Sequence, residues 1–341
     1  MFLGIPVLAG VVTVVFWLFQ GLGDPERVMM GQAGDSTTLQ NIRKDFHLDE
    51  PRWKQYVLYL NDLSPVSYYQ RKDFESLSLS GILLGKDSGL SIKFPYLRKS
   101  YHSRENVAVL ISGALPGTIM LALAAILFAA VLGIALGVIA SVHKGTIWDT
   151  GALATSIAGI SVPSFFMAIL MAWIFGFLLS DFTGLSMTGS WKEIDFTTGE
   201  EIFRLDHLVL PAITLGIRPL AIITQLTRSV MLEELQKDYI QTAYAKGLKK
   251  SRVVVRHALR NALNPVVTAV TGWFAELLAG AFFIEYIFGW NGLGKLTVDA
   301  VEHLDYPLVM GAVLVSSMIF ILIGILTDVL YALLDPRVDL D

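Results

Sequence analysis

Between Lys237 and Pro265 the sequence sets charges, aromatic rings and a glycine at spacings that suit contact with another protein rather than catalysis. Tyr239, Ile240, Ala243 and Tyr244 recur at i, i+1, i+4 and i+5, the pattern of one apolar helix face, while Lys237, Gln241 and Lys246 fall largely elsewhere. Asp238 near the start of that helix and Lys246 near its end both suit the helix dipole. Gly247 stands where a helix ends in the left-handed conformation that other residues resist, and Leu248 supplies the apolar contact that goes with it. Ser251 reads as the N-cap of a second helix. That helix carries Arg252, Arg256 and Arg260 at four-residue spacing and turns Val253, Val254, Ala258 and Leu259 away from them. Physics leaves two readings open. The segment is either an amphipathic surface lying on anionic headgroups or a coupling helix that inserts its apolar face, with Tyr239 and Tyr244, into a partner's cleft. A nucleic-acid surface is disfavoured, because the basic residues lack an interleaved base-stacking context.

Two further charged residues, Arg218 and Glu276, lie inside apolar runs. A charge at such depth costs roughly 2.5–3.5 kcal/mol, so each must face protein or water. They either pair with one another across adjacent helices, line a pathway for a charged cargo, or snorkel into polar gaps. Other chemistry is excluded or unsupported. There is no cysteine, hence no disulfide, thiolate site or Cys nucleophile. His143, His207 and His257 are scattered and lack metal-ligand spacing. No serine or aspartate has triad context, and no catalytic residue, metal or cofactor is expected. No Gly-x4-Gly-Lys-Ser/Thr loop is present to cradle nucleotide phosphates.

The elements that position these residues are membrane spans. The 341 residues are 54% hydrophobic and only 16% charged, with mean hydropathy +0.58. Soluble domains run at about 45–50% apolar and about 25% charged. Six segments are long and apolar enough to cross a bilayer: roughly 2–20, 113–142, 150–180, 208–232, 262–284 and 308–333. Close-set small residues such as Gly133 and Gly137 allow helices to approach, and Pro163, Pro211, Pro219 and Pro265 punctuate the spans. Loops 143–149 and 228–261 hold most of the short-loop Lys and Arg, which makes that side cytoplasmic and puts both termini there. Residues 21–112 then lie outside, with a helical pattern near Leu39–Phe46, another apolar pattern over Trp53–Leu60 and loop with short strands over 62–102. Trp17, Trp148 and Trp290 suit interfacial belts. Glu285 and Asn291-Gly292 suit a structural re-entrant turn or an interfacial one.

The string Tyr239-x-x-Thr242-Ala243-x-Ala245-Lys246-Gly247-Leu248 resembles the EAA loop of ABC-transporter permeases. Continued through Arg256-His257-Ala258-Leu259-Arg260-Asn261-Ala262-Leu263-x-Pro265, it is similar to the dipeptide/oligopeptide permease subfamily. Gly23-Asp24-Pro25, Ser161-Val162-Pro163-Ser164-Phe165, His207-Leu208-x-Leu210-Pro211, Thr227-Arg228-Ser229, Glu285-x-Ile287-Phe288, Gly292-Leu293-Gly294, Asp305-Tyr306-Pro307 and Leu334-Asp335-Pro336-Arg337 extend the resemblance over nearly the whole chain. Gln241-Thr242-Ala243 replaces the generic Glu-Ala-Ala, and His257-Ala258-Leu259-Arg260 replaces Ile-x-Leu-Pro; both changes are usual in the peptide subfamily. The basic residues expected before the first span are missing, which points to a shortened N-terminus.

The resemblance implies an all-α membrane protein, a six-helix type I ABC importer bundle with an extracytoplasmic insertion after the first span. Residues 1–20 form that span, 21–112 the insertion, and 113–341 the core permease domain, whose coupling loop is 233–261. The partners it implies are a second homologous permease subunit in a heterodimer, two cytoplasmic ATP-binding subunits and an extracytoplasmic solute-binding protein, in the bacterial plasma (inner) membrane. The residues it marks for ATPase coupling are Asp238, Tyr239, Thr242, Ala243, Tyr244, Lys246, Gly247 and Leu248. The cargo it implies is a peptide or peptide-like solute. Readings from other classes are a stand-alone channel or secondary transporter, which calls for acidic relays or symmetric broken helices, and a receptor that senses ligand through 21–112.

Overall fold

The computed structural model describes residues 4–20, 49–77, 79–195 and 197–334. The Gly23-Asp24-Pro25 motif, the helical pattern at Leu39–Phe46 and the motif residues 335–337 lie outside the described residues. Among the described residues the chain is mostly helical. It runs α1 (Gly4–Gln20), α2 (Arg52–Leu63), β1 (Val66–Gln70), α3 (Arg71–Ser76), β2 (Gly81–Leu84), β3 (Ser88–Lys93), α4 (Val107–Val142), α5 (Ile147–Ser161) and α6 (Ser164–Trp173). A π-helical turn follows at Ile174–Leu178, then α7 (Ser180–Thr183), β4 (Lys192–Ile194), β5 (Glu201–Phe203) and a 3-10 turn at Leu205–Leu208. Next come α8 (Val209–Glu234), α9 (Asp238–Ala245), α10 (Lys250–Arg252), a π-helical turn at Val253–Leu259, α11 (Arg260–Gly280), α12 (Phe282–Phe288), α13 (Leu293–Glu302) and α14 (Tyr306–Leu334). The all-α expectation therefore holds for the long elements and not for 66–93 and 192–203, which form small antiparallel sheets.

Among the described residues, four stretches are long and apolar enough to cross a membrane: Val107–Val142, Leu205–Glu234, Lys250–Ala279 and Tyr306–Thr327. Ile147–Ser161 and Ser164–Leu178 together make a fifth, bent by 106°. Proline sets the break. Pro163 pushes Val162 into extended backbone at φ −85° and ψ 128°, so the 150–180 segment is two helices rather than one. Pro219 and Pro265, by contrast, stay inside α8 and α11. Pro6–Leu18 is a shorter apolar helix.

The chain folds as two compact units. One comprises residues 2–113 with 296–315. In it β3 is the centre of a three-stranded sheet ordered β1-β3-β2, pairing Tyr68 with Leu90 on one side and Ile82 with Ile92 on the other. Phe16 of α1 stacks on Tyr59 of α2, with ring centroids 6.0 Å apart. Asp62, at the end of α2, accepts from Arg98 Nε at 2.7 Å and from Tyr69 Oη at 2.5 Å, which ties helix to sheet. Asp305 accepts from Ser100 Oγ and from the Tyr101 amide at 3.0 Å.

The other unit holds 114–295 and 316–341. Its centre is the crossing of α4 and α8. A Cβ on Gly137 would lie 2.6 Å from Thr227 Cβ and 2.8 Å from the Thr224 carbonyl, and one on Gly133 would lie 3.0 Å from the Leu220 carbonyl. The two glycines, one turn apart on α4, let α8 lie against bare backbone, as small residues do between membrane helices. Ala122, Ala125, Ile126, Ala129, Ile223, Val266, Leu277 and Leu278 fill the core around this crossing.

Candidate functional site

Helix α9 occupies Asp238–Ala245 and ends at Gly247, whose φ is +76°. The Gly247 amide donates to the Tyr244 carbonyl at 2.9 Å and the Leu248 amide to the Ala243 carbonyl at 3.3 Å. These two bonds close a Schellman cap, which only a residue tolerant of positive φ forms without strain. Ile240 and Ala243 are buried in a cluster with Met231, Val253, Val254, Ala258 and Ala262, against which Leu248 also packs. The apolar face is therefore spent on this chain's own helices. At 100° per residue, Tyr239 and Tyr244 flank the buried arc about 140° apart, and they remain 38% and 37% exposed. The expectation that this whole face enters a partner is corrected. The outward surface is Asp238, Gln241, Thr242, Ala245 and Lys246, with the two tyrosine rings at its margins.

Tyr239 is also fastened at its hydroxyl. It donates to Glu234 Oε2 at 2.5 Å and accepts from Asn261 Nδ2 at 2.9 Å. Lys237 Nζ holds the other Glu234 oxygen, and Glu234 is only 7% exposed. One phenol thus joins the last turn of α8, the start of α9 and the first turn of α11. Burial and the Glu234 carboxylate both push its pKa upward, so it stays a donor at neutral pH. Sequence reasoning missed Glu234 and Asn261 as partners, because periodicity describes one helix at a time.

The second helix of the segment is not a separate one. Lys249 is extended at φ −60° and ψ 140°, and helix begins at Lys250, so Ser251 is not its N-cap. The backbone then runs through the π-helical turn Val253–Leu259 into α11. Val253, Val254 and Ala258 are buried, while Arg252, Arg256 and Arg260 are exposed. Among the described residues none of these arginines, nor Lys246, Lys249 or Lys250, takes part in an ion pair. Nearby, Arg228 of α8 grips Asp149 of α5 with two bonds, Nε to Oδ1 at 2.5 Å and a terminal nitrogen to Oδ2 at 2.9 Å. The Gly145 amide completes the Asp149 site at 2.9 Å.

Arg218 and Glu276 both line one pocket of about 130 Å³, together with Ser164, Met167, Thr214 and Trp273. Both charged side chains are exposed, and they form no ion pair with each other. The Arg218 guanidinium instead sits over the Trp273 ring, 5.9 Å from its centroid. Trp273 was not singled out from sequence, although its i, i+3 spacing to Glu276 puts both on one face of α11.

Glu285 of α12 is fully buried. Thr118 Oγ1 donates to its Oε1 at 2.7 Å, and the Gly294 and Lys295 amides donate to its Oε2 at 2.7 and 3.1 Å. The carboxyl caps the start of α13. Gly292 gives it room, since a Cβ there would lie 2.3 Å from Oε2. Trp290 does not belong to an interfacial belt: it is fully buried, and its indole donates to the Gly117 carbonyl at 3.0 Å. Trp17 and Trp148 are exposed.

The described residues thus hold apolar helices long enough to cross a membrane, a proline-broken helix pair and a short capped helix clamped between two long ones. Residues 133–340 match the family described as binding-protein-dependent transport system inner membrane component, and residues 2–122 match its N-terminal companion. The chain belongs to this family. It is a multi-pass membrane component, not the ATP-hydrolysing subunit.

Among similar proteins is the di/tripeptide transport system permease protein DppB of Pseudomonas aeruginosa, 36% identical over 98% of this chain and 95% of the relative. The dipeptide transport system permease protein DppB of Escherichia coli K12 is 35% identical over the same shares. The glutathione transport system permease protein GsiC of that strain is 32% identical over 96% of this chain and 94% of the relative. In fold, the chain resembles a solved structure of the MetNI methionine ABC transporter in an inward-facing conformation. That match has a TM-score of 0.50 and 17% identity and covers 67% of this chain and 97% of the other.

Proposed function

We propose that this chain is one half of the membrane pathway of an ATP-driven importer for peptides or peptide-like solutes. Two cytoplasmic ATPase subunits drive it through α9. A second, homologous permease completes the pathway as a heterodimer, and an extracytoplasmic binding protein delivers the cargo. The dipeptide, tripeptide and glutathione permeases similar to this chain support the cargo class. The chain crosses the bacterial inner membrane six times, with α1 as a short first span and the bent α5–α6 pair as the third. Both termini are cytoplasmic, and 21–112 form an extracytoplasmic insertion.

The observation that carries the mechanism is the mounting of α9. Its inner face is packed on its own chain, its end is capped at Gly247, and Tyr239 ties it to α8 and α11. A push on its outer face, which carries Asp238, Thr242 and Lys246, therefore reaches two spans as one rigid displacement. Thr242 donates to the Asp238 carbonyl at 3.0 Å, which leaves the first turn internally satisfied. Gly247→Val tests this. A β-branched residue at φ +76° costs about 1–3 kcal/mol locally, and nothing within 4 Å of the new Cβ would clash. The expected result is an assembled transporter in which ATP-driven uptake falls at least tenfold and ATP hydrolysis no longer responds to loaded binding protein. Normal uptake with normal coupling would remove α9 from the role.

A further inference from the structure

Charge at membrane depth is the least expected feature of this chain. Arg218 lies in the stretch Leu205–Glu234 and Glu276 in Lys250–Ala279, both apolar enough to cross a bilayer. Facing lipid, each would be strongly disfavoured. Facing one another in contact, they would neutralise that cost, yet they form no ion pair and both side chains stay open to the same pocket. The pocket also holds Ser164 and Thr214, while Met167 and Trp273 give it apolar walls. The Thr214 hydroxyl is already bonded to the Leu210 carbonyl at 2.7 Å, so the unspent polarity of the site is mainly the two charges.

The chemistry of the pair is specific. Trp273 lies against the Arg218 guanidinium, 5.9 Å from it, and restrains it by a cation–π contact without using its N–H donors. Those donors form the fork that matches a carboxylate. The Glu276 carboxylate matches an ammonium group. Opposite charges held apart on the walls of one small pocket are complementary to a zwitterion that bridges them. At about 130 Å³ the pocket is sized for a very short chain or its ends rather than for a long segment.

Resting on the reading of this chain as a peptide permease, we propose that Arg218 and Glu276 form a subsite for peptide termini. Arg218 takes the free carboxylate and Glu276 the free ammonium of a short zwitterionic peptide. The subsite makes the pathway itself selective for unblocked peptides, beyond whatever the binding protein selects.

The test uses the complete transporter in proteoliposomes with its binding protein. Uptake of Ala-Phe is compared with N-acetyl-Ala-Phe and with Ala-Phe-amide. The binding protein's own preference is common to wild type and variants and cancels when ratios are compared. Arg218→Gln should lower the preference for the free over the amidated peptide by roughly tenfold, the scale of a hydrogen bond to a charged group, and leave the preference over the acetylated peptide unchanged. Glu276→Gln should do the reverse, and Arg218→Lys, which keeps the charge but not the planar fork, should keep only part of the discrimination. If a neutral variant does not assemble, Met167→Cys in this cysteine-free chain serves instead. Ala-Phe should then slow its labelling by a water-soluble thiol reagent, and neither blocked peptide should. Unchanged ratios, equal loss for all three peptides, or equal protection by all three would each overturn the subsite. A wild-type transporter that moves none of the three would instead overturn the peptide reading.

Discussion

Removing one oxygen from Tyr239 separates its two jobs. Tyr239→Phe keeps the ring at the margin of the outer face and cuts the ties to Glu234 and Asn261. The lost bonds are partly exposed, so stability should fall by only about 1 kcal/mol. Coupling should suffer more: uptake per ATP hydrolysed drops several-fold while the ATPase subunits still copurify. Unchanged stoichiometry would show that the clamp transmits nothing. Glu285 gives a different residue-scale handle. Burial raises its pKa from an ordinary 4.5 to about 7, against the opposing pull of Thr118 and two amides. A raised acid favours the folded state in its protonated form. Its contribution is full below about pH 4.5 and is lost as pH rises through about 7. The thermal midpoint of the purified transporter should therefore fall between about pH 5 and pH 8, and fall less in Glu285→Gln, which mimics the protonated form. Parallel pH curves for the two proteins would contradict this.

Among elements, the α4–α8 crossing is the one most sensitive to side-chain size. Gly137→Leu inserts a side chain where even a Cβ meets Thr227 at 2.6 Å. Overpacking of this kind costs about 1–3 kcal/mol, and here the two spans must also separate. Lower yield and a lower thermal midpoint than Gly113→Leu, which meets nothing within 4 Å, are the expected outcomes in a heat-stability assay. Much at this scale was legible in the sequence. The limits of α9 and the left-handed Gly247 follow from local signals, a charged first turn and a glycine stop, and so does the close approach at Gly133 and Gly137. The rest was hidden for physical reasons. No residue pattern marks the π-helical turn Val253–Leu259, which fuses the supposed second helix to α11. Pro163 announced a kink, but only the extended Val162 shows how completely the helix breaks. The Glu234–Tyr239–Asn261 clamp joins three helices, and amphipathic spacing carries no information about contacts across them.

For the whole molecule, apolar composition and chain-wide motifs led to the right family, and the similar proteins agree with it. Burial could not be read the same way. Trp290 has the residue type of a belt but the environment of a core, since an average preference yields wherever an indole N–H finds a carbonyl. Likewise Arg218 and Glu276 were visible as charges, but their shared pocket and the Trp273 brace were not.

Helix α8 carries Arg218 and Pro219 at one level and ends at Glu234, where Tyr239 fastens α9. Fifteen residues separate the proline from that glutamate, about 22 Å of rod at 1.5 Å per residue. A flex of about 5° at Pro219 sweeps the fastened end through about 2 Å, roughly half the spacing between neighbouring Cα atoms. The proline is thus a fulcrum set beside the charged pocket, and the distance to α9 is its lever arm. Under the proposed function, a small yielding of the helix beside this pocket becomes a stroke of about 2 Å at the end that holds α9, and the same ratio runs backwards.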